Sequence, residues 1–335
     1  MLIMKNYLKS KKRITYVGAA LLLVLGAGLI IGLRINGTQY CTSVERYDVL
    51  RDSCYFDCDS DQQCEALSKK VDQELSESFQ NSKTKPTASK PKATQQNKSR
   101  SLYTLEQTDS ETNGDLYTVQ PDVSLLPQPN PSHKKIWDLV ILLIGKNRIK
   151  QHIISFEIFN DGNNDTGASV WRSDNPMQWH MNLNEAFAGD DQKDLIRTII
   201  HEYGHVVTLS GGQVDTVNGA CPNIQLDEGC GGDRSYINAY YKAFWSRYGY
   251  SNDQVGSISE NDAANLYADN EDSFVSDYAS TNITEDIAES FADFVTKSEP
   301  SGNEIKDQKV KFFYDYPELV TMREQIRIAA AKVVL

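Results

Sequence analysis

His201-Glu202-Tyr203-Gly204-His205 is the stretch that most narrows what this chain can fold into. Two imidazoles four residues apart can hold one metal ion when they share a helix face, one turn apart, so the pattern calls for a helix here. The flanks agree. Leu195, Ile196, Ile199 and Ile200 before it, and Val206 and Val207 after it, supply an apolar side that would bury the helix and turn the histidines toward a cleft. Asp190 or Asp191 can cap its start, and Gly211-Gly212 can end it. Glu202 is rotated about 100° from His201, outside the ligand pair but within reach of a water beside the metal. Zinc suits this set, because imidazole is a good zinc ligand and three protein ligands leave one position open for chemistry. The expectation is one Zn2+ per chain with Glu202 as general base. The competing reading is a helix with two surface histidines and a Glu–His pair.

The third ligand must come from elsewhere. Residues 284–294 (TEDIAESFADF) read as a second, acid-bearing helix, with Asn282 or Thr284 as its cap and Ile287, Phe291, Phe294 and Val295 as its buried side. Glu285, Glu289 and Asp293 recur every four residues on one face. One of them can ligate while the next orients a ligand histidine. Without the first helix such a stripe would be an ordinary solvated face.

The helix pair resembles that of the gluzincins, zinc metallopeptidases with two histidines on the first helix and a glutamate on the second. It is most similar to the bacterial zinc-binding metallopeptidases related to the anthrax lethal factor catalytic domain. Gly204 matches the glycine before the second histidine, and Ala288-Glu289-Ser290-Phe291-Ala292-Asp293 matches the second motif. The run after His205 (VVTLSG) lacks the glycine and third histidine of the metzincins, which sets that branch aside. The resemblance implies His201, His205 and Glu289 as zinc ligands and Asp293 as the partner of His201, with Glu285 as the rival ligand. It also implies an oxyanion-stabilising tyrosine shortly before the second helix. Tyr278 matches in kind but lies further from Glu289 than the family pattern has it, and a buried structural tyrosine is the competing reading. Segments 240–245, 311–314 and 317–320 resemble packing elements of the same group, so the likeness covers roughly residues 179–327.

The implied fold is α+β and zincin-like, with a small twisted sheet, an active-site helix beneath it and a mostly helical C-terminal half. The implied activity is hydrolysis of a peptide bond in a protein or peptide substrate. The alternative is a non-catalytic, zinc-stabilised surface binding module. Glu202 counts against it, since a structural zinc site closes its fourth position and has no use for a base.

Around these helices, residues 136–144 (IWDLVILLI) read as a buried helix and 153–159 and 179–183 as strands, separated by a Gly/Asn/Asp loop at 160–167. His180 falls in the second strand. In the resembled fold this is an edge strand lining the cleft, whereas a solvent-facing histidine is the simpler reading. Cys221 and Cys230 bracket a short loop between the two helices and are expected to close it as a disulfide. With Gly229, Gly231 and Gly232 this insertion reads as an inert surface turn, and a lid or substrate wall is the alternative.

The first hundred residues are built differently. They carry 16 Lys and Arg against 10 Asp and Glu, whereas residues 101–335 carry 18 against 36. Residues 14–33 contain no charged side chain and as a helix would span about 30 Å, the thickness of a bilayer's hydrocarbon core. Lys9, Lys11, Lys12 and Arg13 precede them, which places residues 1–13 in the cytoplasm and the remainder outside. A cleaved signal peptide is the rival reading, but Leu29-Ile30-Ile31 continues the apolar run past the small-residue site at Gly26-Ala27-Gly28. Cys41, Cys54, Cys58 and Cys64 complete an even set of cysteines, which fits disulfides outside the membrane better than a second zinc site. Leu67, Val71, Leu75 and Phe79 mark an amphipathic helix, and residues 81–100 are too polar to fold. The expected organisation is a cytoplasmic N-terminus (1–13), a single-pass transmembrane anchor in the cell membrane (14–33), a Cys-rich helical stalk (35–80), a disordered linker (81–100) and an extracytoplasmic zinc metallopeptidase domain (101–335). A net charge of -12 argues against a nucleic-acid partner.

Overall fold

The chain folds as a mixed α+β protein, and the computed structural model describes residues 45–48, 53–56, 61–80, 114–160, 167–187, 192–216 and 220–334. The anchor expected at 14–33, the linker at 81–100, the cap at Asp190 or Asp191 and the side chains of Cys41, Cys54, Cys58 and Cys64 lie outside that description. Among the described residues no helix is long and apolar enough to cross a membrane. The chain divides into two units at Leu75. The first holds an antiparallel pair, β1 (Glu45–Asp48) and β2 (Ser53–Phe56), and the start of α1 (Asp61–Gln80).

The second unit is built on a five-stranded sheet of β3 (Asp115–Val119), β4 (Leu125–Leu126), β5 (Ile153–Phe159), β6 (Ala168–Arg172) and β7 (Trp179–Asn184), in the order β4-β3-β5-β7-β6. Only β5 and β7 run parallel. Side chains alternate between the faces. Tyr117, Phe156 and Met181 sit side by side on the buried face, while Thr118, Ser155, His180 and Trp171 form a row on the other. His180 thus lies on the outward face, stacked on Trp171 at 5.2 Å with Ser155 Oγ 2.6 Å from its Nδ1. The edge strand is β6, not the His180 strand, which is paired on both sides.

Helices cover the buried face. In α2 (Pro131–Ile144), Asn130 caps the first turn by accepting from His133 N at 2.9 Å, Pro131 needs no partner for its nitrogen, and Gly145 ends the helix at φ +88°, a conformation that favours glycine. Trp137 packs on Phe156 at 4.8 Å. The short α3 (Lys146–His152) leads into β5, and α4 (Gln192–Leu209) follows β7. Trp179 pins the far end of α4 by donating to Ser210 Oγ at 2.9 Å.

After α4 come β8 (Val214–Asp215), β9 (Gln225–Leu226) and β10 (Gly229–Gly231), a small sheet closed by the Cys221–Cys230 disulfide with a Cα separation of 5.5 Å. The rest is helical: α5 (Tyr236–Tyr240) running into a π-helical turn at Tyr241–Trp245, then α6 (Glu260–Asp269), α7 (Ile283–Thr296), α8 (Ile305–Lys311) and α9 (Pro317–Val334). Phe291, Phe294 and Phe313 stack around α7. Carbonyls of its last turn, which have no partner within the helix, are satisfied by α9, where Arg323 Nε donates to Phe294 O at 2.6 Å and Arg327 Nη1 to Val295 O at 2.7 Å.

Candidate metal centre

The meeting of α4 and α7 makes the site. Gly204 permits it, since a Cβ there would lie 3.1 Å from Phe291 Cδ1 and 3.3 Å from Ala288 Cα. At that crossing the first turn of α7, capped by Asn282 accepting from Glu285 N at 2.9 Å, faces the histidine pair. His201 Nε2 is 3.1 Å from His205 Nε2 and 3.1 Å from Glu285 Oε2, and His205 Nε2 is 3.3 Å from the same oxygen. A tetrahedral zinc ion with bonds of about 2.0–2.1 Å keeps its ligand atoms about 3.3 Å apart. The donor triangle fits that requirement, and among the described residues it is the one group of His, Cys, Asp and Glu atoms close enough to hold a metal.

Glu289 is placed otherwise. His201 Nδ1 donates to its Oε1 at 2.9 Å, Arg197 grips both oxygens at 2.9 and 3.0 Å, and Ser276 Oγ donates to Oε2 at 2.7 Å. With its lone pairs so occupied it takes the Nδ1–H of His201 and leaves Nε2 as the ring nitrogen that faces the triangle. Of the three ligands that the resemblance implies, His201 and His205 meet in the triangle and Glu289 lies outside it. Glu285, the rival, sits with the histidines, Glu289 holds the orienting role expected of Asp293, and Asp293 instead accepts from Arg197 at 3.3 Å and Lys297 at 2.7 Å. The crossing point brings the first turn of α7 to the Nε2 atoms of both histidines and the second turn to the Nδ1 side of His201.

Electrostatics follow from this packing. Burial pushes Glu285 up, yet His205 and His201 outweigh it and hold its pKa far below the usual carboxylate range. Glu289 is likewise held well below that range, burial being overcome by Arg197 and His201. Burial disfavours charge on His201, but hydrogen bonds to Glu285 and Glu289 raise its pKa to about 10. Glu202 differs from all of them. It is buried on α4, no described residue gives its carboxylate a hydrogen bond or ion pair, and burial raises its pKa against the pull of His201 and His205.

Tyr278 opens a 3-10 turn before α7, with its ring centroid 6.1 Å from that of His201 and its phenol within electrostatic range of Glu285. Burial keeps its pKa well above the ordinary value, so it stays a donor. Tyr278 lies seven residues before Glu285 and eleven before Glu289. Two residues of this network carried no motif: Arg197, one turn before His201 on the same helix face, and Ser276.

No family model matches the chain, and no curated protein or solved structure does either.

Proposed function

We propose that this protein is a zinc-dependent metallopeptidase of zincin-like fold, its ligands being His201, His205 and Glu285. One observation carries the reading: three donor atoms converge at zinc-ligand spacing while Glu202, one residue along the same helix, is buried and uncommitted. A zinc ion bound there would lower the pKa of a water and polarise a carbonyl.

Glu202, raised by burial, suits a general base that takes the proton of the attacking water and returns it to the leaving amine. Tyr278, held protonated and with its ring 6.1 Å from that of His201, suits a donor to the developing oxyanion. Glu289 and Arg197 hold His201 in one orientation throughout. The edge of β6, which contacts α4 and pairs with no second strand among the described residues, can receive an extended peptide by strand addition, and this supports a peptide substrate. Anchorage through residues 14–33 with the peptidase outside the cytoplasm belongs to the same proposal and rests on the sequence.

The test is a Glu202→Gln variant beside wild type, read for zinc content and for cleavage of a peptide library by mass spectrometry. One zinc per chain in both, with cleavage reduced by about 10²–10⁴ in the variant, is the expected result. Wild type that binds no zinc when it is supplied, or a variant that cleaves as well as wild type, would sink the proposal.

A further inference from the structure

The hairpin between the two helices carries an acid that the chemistry above does not use. Strands β9 and β10 are joined by a two-residue turn, Asp227-Glu228, with Leu226 opposite Gly229. Gly229 has φ +136°, and a Cβ there would lie 2.5 Å from Asp215 O, so the tip is pressed against β8 in a way only glycine tolerates. The Cys221–Cys230 disulfide ties the strand behind it. One nitrogen, Arg172 Nη1, donates to the carbonyls of Val214 at 2.9 Å, Glu228 at 3.0 Å and Leu209 at 3.4 Å. It therefore joins the end of edge strand β6, the C-terminus of α4 and the hairpin tip. Leu209 lies one helical turn beyond His205, so the tip is held at the ligand end of α4, beside the strand on which a peptide would lie.

The Glu228 carboxylate is half-buried there, within electrostatic range of His205, and among the described residues no cation pairs with it. Burial pushes its pKa up against the longer-range pull of His205 and Arg172. A carboxylate partly stripped of water and lacking a close counter-charge gains from a cation that arrives with its ligand. We infer that Glu228 is a specificity residue, selecting substrates with a Lys or Arg side chain beside the scissile bond. This rests on the peptidase reading and gives the disulfide-closed insertion the role of a substrate wall.

The test uses the full chain carrying Glu202→Gln, so that binding is read without turnover. Two end-blocked peptides are compared by fluorescence anisotropy, one with a central lysine and one with norleucine, its uncharged counterpart. The lysine peptide is expected to bind at least about tenfold tighter, Glu228→Gln to erase the difference, and Asp227→Asn, at the neighbouring exposed acid, to keep it. Equal binding of the two peptides, no binding of either at millimolar concentration, or a lysine preference that survives Glu228→Gln would overturn the inference. Metal analysis of the same samples separates this from failure of the peptidase reading: a lysine preference without bound zinc would sink the enzyme and leave the cation site.

Discussion

Glu285 and Glu289 lie one turn apart on α7, the first with 16% of its side chain exposed and the second with 7%, and they make different contacts, which metal affinity should tell apart. Glu285→Ala removes one of three donors and should abolish stoichiometric zinc. Glu289→Ala leaves all three donors and frees only the far side of His201, which should weaken zinc by about 10–100-fold in a chelator competition. The reverse order of effects would restore Glu289 as ligand. Acid sensitivity gives a second reading of the same residue. Its folded-state pKa lies well below the unfolded value of 4.5, so its stabilising effect is complete above pH 4.5 and is lost as pH falls below that toward the folded value. In chelator-treated protein, Glu289→Gln should flatten the fall of stability below pH 4.5 in urea titrations. The sequence made the histidine pair and its placement on a buried helix legible, because a spacing of four on an apolar-flanked helix leaves little freedom. It left Glu285, Glu289 and Asp293 equivalent, because a period of four repeats the same face and says nothing about which turn meets the partner helix.

At the scale of elements, the register of α4 against α7 decides which carboxylate meets the histidine pair, and Gly204 permits the close crossing. Alanine there would gain about 1 kcal/mol in helix propensity. Against this, its Cβ would meet the Ala288 backbone at 3.3 Å, which cannot swing aside, and overpacking of this kind costs about 1–3 kcal/mol. Gly204→Ala should therefore lower stability in urea and weaken zinc binding together. A variant as stable as wild type with unchanged zinc would mean that the crossing does not fix the site. Other elements were illegible for physical reasons. β6 is half exposed along most of its length and so shows no alternation. Lys309 in α8 (IKDQKVK) has the sequence of a solvated residue but is fully buried, paired with Asp286 at 2.6 Å and lying 3.8 Å from the Phe274 ring centroid. No local pattern announces a partner on another helix. Removing one side of such a pair leaves a buried charge, so Lys309→Met should cost about 3–5 kcal/mol by thermal or urea unfolding.

At the scale of the whole molecule, composition placed the start of the folded domain at residue 101, after the polar run, but the second unit reaches back to Leu75. Leu75 and Phe79, at the end of the helix read as a stalk, are buried in its core, and Ser76 Oγ accepts from Arg327 Nη2 at 3.0 Å and from Ser298 Oγ at 2.9 Å. A polar segment in the sequence says nothing about whether the residues before it belong to a core. Phe79→Ala in the full chain should accordingly cost about 3–5 kcal/mol, as for a core aromatic, whereas a stalk residue would cost nothing measurable. The consequence reaches the metal. Arg327 also donates to Val295 O at the end of α7, so loss of α1 would loosen α9 and, through it, the helix that presents Glu285. A chain begun at 101 should melt earlier and hold zinc less tightly than one begun at 61, with every ligand present in both. Equal melting and equal zinc affinity in the two would show that α1 is dispensable and that the domain does begin after the polar run.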